Sequence, residues 1–169
     1  MAGLFMSGCS AGSTDNKTDF TVGDPSGEFN SHFTPREQMW LGTSGFSISP
    51  GPDATMISIV PLGLDPAISY QSYYVLIVPA GGAMGMFPAS AAPDGQKKLA
   101  QPLANAVISA SDGEVQAIVA FQLPNSEVSI HGYRLNYERD GQSRSAYIPY
   151  SDHVCFDPAK DCPYIQPYP

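Results

Sequence analysis

Between Val115 and Tyr150 the apolar residues fall on alternate positions, and that spacing points to sheet. Val115, Ala117, Val119, Phe121 and Leu123 occupy every second place. Side chains two apart share one face of a strand but not of a helix. Pro124-Asn125-Ser126 interrupts the run, and Tyr133, Leu135 and Tyr137 resume it. Asp140-Gly141 then suits a two-residue hairpin turn, because both residues accept positive φ. The return run is Ser143 to Tyr150. A three-stranded antiparallel meander is expected, with Val119 and Phe121 on one face, opposed across the pair by Tyr133 or Leu135. The competing pattern is a helix over 114–123, which would bury Val115, Val119 and Leu123 in place of Phe121.

The rest of the chain reads as further short strands. Gln38–Leu41 opens the folded part, Thr43–Ile48 continues it, and Pro50-Gly51-Pro52-Asp53 is a turn. Thr55–Leu62 is rich in β-branched residues, with Pro61 restricting its end to an edge or bulge. Tyr73–Val78 is the most continuous apolar run and is expected to be central and well buried. A long Gly, Ala and Pro loop spans 79–95. Pro102 argues against a long helix from Lys97, so Leu103–Ser109 is read as a strand. Ser111-Asp112-Gly113 turns the chain into the meander. The sixteen Gly and sixteen Pro are spread along the 169 residues and cut the chain into short runs. Length and pattern together predict one all-β domain, an immunoglobulin-like antiparallel β-sandwich over 37–155. The Cys…Trp…Cys spacing of true immunoglobulin domains is absent, since Trp40 precedes both late cysteines.

The amino terminus carries a different signal. Ser7-Gly8 directly precedes Cys9, with Leu4, Phe5 and Met6 upstream. This resembles a bacterial lipobox, which implies cleavage before Cys9 and a covalent lipid on its thiol. Met6 stands where Leu is usual, and the eight residues before Cys9 hold no Lys or Arg. Either the reading frame begins further upstream or the chain has been trimmed; a chance Ser-Gly-Cys is the other reading. Residues 1–9 are thus a residual signal. Residues 10–36 are polar, and are expected to be a flexible, disordered tether between anchor and domain.

Three cysteines are present. With Cys9 lipidated, Cys155 and Cys162 remain as an even pair seven residues apart, which fits a disulfide in an oxidising compartment. The competing reading is a metal site of His153, Cys155 and Cys162, which would need a fourth ligand. The tail, 156–169, is Pro-rich. Tyr164 and Tyr168 make it either an extended docking segment for a partner or a strap lying on its own domain.

The order Thr55–Leu62, then Tyr74–Pro79, then Val128–Gln142 with its Gly-Tyr strand, Asp-Gly hairpin and late Cys resembles small exported lipoproteins and secreted β-domain proteins of actinobacteria. The resemblance covers about 55–155. It implies an exported accessory protein and carries over no catalytic residue.

Composition narrows the partners. A net charge of −8 with eight Lys+Arg repels a phosphate backbone, so nucleic acid is not an expected partner. No run of about 18 apolar residues exists to form a spanning helix. Gly42-Thr43-Ser44-Gly45-Phe46 misses the Gly-x-Ser-x-Gly nucleophile elbow. Gly81–Gly85 lacks the Lys-Ser/Thr of a phosphate loop. Asp15, Asp19, Asp24 and Glu28 lack calcium-loop spacing and read as solvated tether charges. Three function classes follow. The leading one is a non-catalytic, lipid-anchored extracytoplasmic protein that binds a protein or envelope component, such as an outer-face subunit of a membrane complex; it needs no cofactor beyond the lipid on Cys9. The second is an exported copper carrier using Met84, Met86 and His131 or His153. The third is a hydrolase whose residues meet only in the fold.

Overall fold

The computed structural model describes residues 19–23, 28–64, 68, 71–78, 85–157, 159–163 and 165–166, with 28–32 as backbone only. Its strands are β1 (Phe20–Val22), β2 (Glu28–His32), β3 (Gln38–Gly42), β4 (Phe46–Ile48), β5 (Ala54–Pro61), β6 (Gln71–Ile77), β7 (Met86–Pro88), β8 (Gln101–Pro102), β9 (Val107–Ile108), β10 (Val115–Gln122), β11 (Val128–Ile130), β12 (Tyr133–Arg139), β13 (Gln142–Ile148) and β14 (Ser151–Cys155). One short helix, α1 (Asp94–Leu99), and a 3₁₀ turn at Ala110–Asp112 complete the elements. The fold is the expected all-β sandwich.

Three sheets build it. In the first, β3 and β4 act as one interrupted strand along one side of β10, and β6 lines the other side. β1 flanks β4, β7 flanks β3, and β8 flanks β6. The second runs β13-β12-β5-β9, and the third runs β11-β14-β2. The first and second sheets face each other. Met39, Leu41, Val115, Val119 and Phe121 from one meet Met56, Ile59, Leu135 and Tyr137 from the other in a single buried cluster. Burying side chains of this size stabilises the fold by about 1.5–3 kcal/mol each.

The expected meander divides between sheets. β12 and β13 form the hairpin predicted at Asp140-Gly141, whose φ values are 55° and 68°. β10 does not pair with β12; it lies at the centre of the other sheet. Val119 and Phe121 are buried on one face as expected, but they meet Tyr137 and Leu135 in the core between sheets. β10 is also buried on its second face, through Ile118 and Ala120. Its strict alternation marks a face that happens to be more apolar, not a solvent boundary.

Several expectations need correction. Val128 to Cys155 is one long bent hairpin, since β11 pairs with β14 just as β12 pairs with β13. The bend falls at Gly132, where φ is 129° and an added Cβ would lie 2.5 Å from the Tyr147 hydroxyl. β6 is less buried than its apolar run suggests, because only the two-residue β8 lies outside it. Residues 94–99 do form a helix; it is too short to have been read from pattern, and it buries no residue. Among the described residues one strand pair, β14 with β2, is parallel.

The tether expectation fails for 19–23 and 28–36. β1 pairs with β4, β2 pairs with β14, and Phe20 packs edge-on against Phe46 and Tyr137 at centroid distances of 5.5 and 4.6 Å. Sparse apolar residues still suffice when their neighbours form a sheet edge that needs covering. Residues 10–18 lie outside the described residues, as does Cys9.

Candidate functional site

The third sheet presents two chemically different faces. Val128 pairs with Val154 and Ile130 with Asp152 on the inner face; Ser129 pairs with His153 on the outer. By alternation Glu127 and Cys155 share the outer face with His153 and Ser151. Cys155 and Cys162 are joined in a disulfide with Cα atoms 5.8 Å apart, as the cysteine count predicted. The bridge turns the tail back over this outer face. His153 Nδ1 lies 2.7 Å from the Pro163 carbonyl, Ser151 Oγ donates to the Ile165 carbonyl at 2.8 Å, and His131 Nδ1 lies 2.7 Å from the Gln166 carbonyl. A carbonyl only accepts, so each histidine carries its proton on Nδ1 here. The described tail residues therefore form a strap on their own domain; Tyr164 and Tyr168 lie outside the described residues.

Beneath the strap, His153 Nε2 points at two groups. Cys155 Sγ is 3.7 Å away and Glu127 Oε2 is 3.9 Å away. The ligand atoms of His153, Cys155 and Cys162 lie within 4.8 Å of one another. Of the copper set, Met84 lies outside the described residues. Met86 is a buried core residue on β7 in the first sheet, whereas His153 stands on β14 in the third and His131 just past the end of β11, both bonded to the tail. The fold thus does not gather that set in one sheet.

The inner face of the same strand carries a buried carboxyl. Asp152 is 2% exposed, and the Tyr133 hydroxyl donates to its Oδ2 at 2.5 Å while Oδ1 has no protein partner. Burial pushes the Asp152 carboxyl well above the usual carboxylate range, against the opposing pull of the Tyr133 hydrogen bond. Burial and the adjacent Asp152 likewise raise the Tyr133 hydroxyl.

A second polar cluster closes one end of the sandwich. Asp19 accepts hydrogen bonds from Tyr137 Oη at 2.8 Å, Arg139 Nη1 at 3.1 Å and Arg144 Nη1 at 2.6 Å. Arg139 also donates to the Pro52 and Ser49 carbonyls. Burial raises the Asp19 carboxyl, but the bonds from Arg144 and Tyr137 outweigh it and hold the group below its ordinary value. A cleft of about 330 Å³ opens here between Pro50, Pro52, Arg139, Asp140 and Arg144. Its two guanidinium groups already serve Asp19, so the cluster is a clasp that fastens β1 to the second sheet.

A second concavity is more apolar. A groove of about 390 Å³ runs between β5 and β6, lined by Ile57, Ser58, Gln71–Tyr74 and Pro102–Ala104. β9 pairs with β5 only at Ala54 and Thr55, and β8 pairs with β6 only at Tyr74 and Val75. Among the described residues, the later half of β5 is therefore paired on one side alone. Ile57, 46% exposed, sits at the irregularity where β5 shifts register against β12. Sequence reading placed both strands but missed the groove, because short neighbours at Gln101–Pro102 and Val107–Ile108 create it. It also missed Glu127, Asp152 and the role of Asp19.

No protein-family model matches the chain, and no curated protein matches it in sequence.

Proposed function

We propose that the protein is a non-catalytic, lipid-anchored extracytoplasmic module that binds a protein partner through the groove beside β5. The observation that carries this reading is the half-paired β5 edge next to an apolar groove. An extended segment of a partner can add to such an edge by main-chain hydrogen bonds, with side chains entering the adjoining pocket. Ile57, Tyr73, Tyr74 and Pro102 supply apolar contact there; Ser58, Gln71 and Ser72 supply polar contact. The compartment is supported by the Cys155–Cys162 bridge, which belongs to an oxidising space. Anchoring rests on Ser7-Gly8-Cys9, and the likeness to exported actinobacterial lipoproteins points the same way.

Two arms test the proposal. Protein expressed from its full reading frame should enter the detergent phase, and Cys9→Ser should return it to the aqueous phase; unchanged partition removes the anchor. Cross-linked recovery of a partner from native membranes should be lost in Ile57→Lys and kept in Val107→Lys, whose exposed side chain on β9 lies outside the groove lining. Equal recovery by both variants removes the groove.

A further inference from the structure

His153, Cys155 and Cys162 bring their ligand atoms within 4.8 Å of one another, with the exposed Glu127 carboxylate beside the histidine, a composition that suits zinc once the bridge is reduced. We propose that reduction of the Cys155–Cys162 bridge opens this corner to a tetrahedral zinc ion, bound by two thiolates, His153 Nε2 and Glu127. Tetrahedral zinc, with bonds of about 2.3 Å to sulfur and about 2.0 Å to nitrogen or oxygen, sets sulfur and nitrogen roughly 3.5 Å apart and nitrogen and oxygen roughly 3.3 Å apart. Cys155 Sγ stands 3.7 Å from His153 Nε2. Glu127 Oε2 stands 3.9 Å from the same nitrogen on an exposed side chain, and a small rotation inward lets it supply the fourth ligand that the three others lack. All four residues lie on one face of β11, β14 and the strap, so parting the two sulfurs and turning the exposed Glu127 side chain inward brings the four ligand atoms together.

The histidine is prepared for this role. Its Nδ1–H is held by the Pro163 carbonyl at 2.7 Å, which fixes the ring and turns the Nε2 lone pair toward the cysteines. A metal-bound histidine is oriented in the same way, by a carbonyl on its other nitrogen. Nothing in the proposed binding function requires this arrangement.

The chemistry closes with a dithiol as reductant. Cys155 is buried and Cys162 is half-buried, so the incoming thiolate attacks the Cys162 sulfur. The Cys155–Cys162 bond breaks, and Cys155 leaves as a thiolate beside His153. The second thiol of the reductant then resolves the mixed disulfide, releasing Cys162 and leaving the reductant oxidised by two electrons. Zinc binding displaces the thiol protons still present. The site carries two thiolates and one carboxylate against Zn²⁺, a net charge of −1. Zinc in turn holds both sulfurs as thiolates, so metal and disulfide exclude each other.

The test uses cobalt(II), whose thiolate complexes absorb in the near ultraviolet and whose tetrahedral form absorbs in the visible. Full-length protein is reduced with a phosphine, freed of reductant without oxygen, and titrated. One equivalent of cobalt should produce both bands in the reduced protein and neither in the oxidised protein, and zinc should erase them. Glu127→Gln, at a side chain that is 56% exposed, should weaken cobalt binding by about tenfold or more, as should His153→Ala. Absence of the charge-transfer band from reduced protein would overturn the proposal. So would equal cobalt affinity in wild type and both variants, since the cysteines would then bind metal without the built site.

Discussion

Asp19 provides the sharpest check on how the amino-terminal segment joins the domain. Its carboxylate is 11% exposed and faces Arg139, which is 5% exposed, at 3.1 Å. Removing one partner of a buried pair leaves the other charge uncompensated, at a cost of about 3–5 kcal/mol. Asp19→Ala also strands the Tyr137 hydroxyl, whose acceptor at 2.8 Å is lost. With a urea slope of about 1.5–2 kcal/mol/M, the unfolding midpoint should fall by roughly 2 M. The sign with pH follows from the held-down carboxyl. Its stabilisation is present above the carboxyl's unfolded pKa and is lost as pH falls through the lower folded value. The difference between wild type and Asp19→Asn should therefore be full near neutrality and shrink below about pH 4. Urea melts followed by tryptophan fluorescence measure both. A midpoint for Asp19→Ala within about 0.2 M of wild type would mean that residues 19–23 hang free, and the reasoning from β1 would be refuted.

Asp152 should behave in the opposite sense. Its pKa is raised in the fold, so its contribution is present at low pH and is lost as pH rises from the unfolded carboxyl's range toward the folded value. Relative to Asp152→Asn, wild type should lose about 1.4 kcal/mol per pH unit within that window, and a difference that stays flat as pH rises out of the unfolded carboxyl's range would contradict the burial account. Phe121→Ala should cost about 3–5 kcal/mol by opening a core cavity, while Gln122→Ala, exposed at the end of β10, should change stability by less than about 0.5 kcal/mol. Comparable urea midpoints for those two would show that β10 is misplaced. Thiol labelling of denatured, unreduced protein should miss Cys155 and Cys162, and reduction should cost about 2–3 kcal/mol for a loop of this length; stoichiometric labelling at both would reject the bridge.

What could be read from sequence was local. The Asp140-Gly141 turn, the Phe46–Ile48 alternation and the Cys155–Cys162 pair each depend on residues near one another, and each forms. Partner choice between strands was not legible. Val115 to Leu123 looks like the first arm of a meander, but Pro124-Asn125-Ser126 leads the chain away to another sheet instead of reversing it. The tether was misjudged for a related reason: Phe20 and Asp19 are few, but they complete an edge built by Phe46, Tyr137, Arg139 and Arg144 far along the chain. Glu127 and Asp152 were invisible because their significance comes from strand pairing. Alternation sends Asp152 inward and His153 outward on neighbouring positions, and pattern alone does not say which face is which.

The binding reading stands or falls at β5. A photoreactive amino acid placed at position 57, and separately at position 107, can be irradiated in native membranes. Ile57 lines the groove, whereas Val107, 59% exposed on the adjoining strand, does not. The account predicts one discrete cross-linked protein adduct from position 57 and none from position 107. Equal labelling at both positions, or none at position 57, would contradict it.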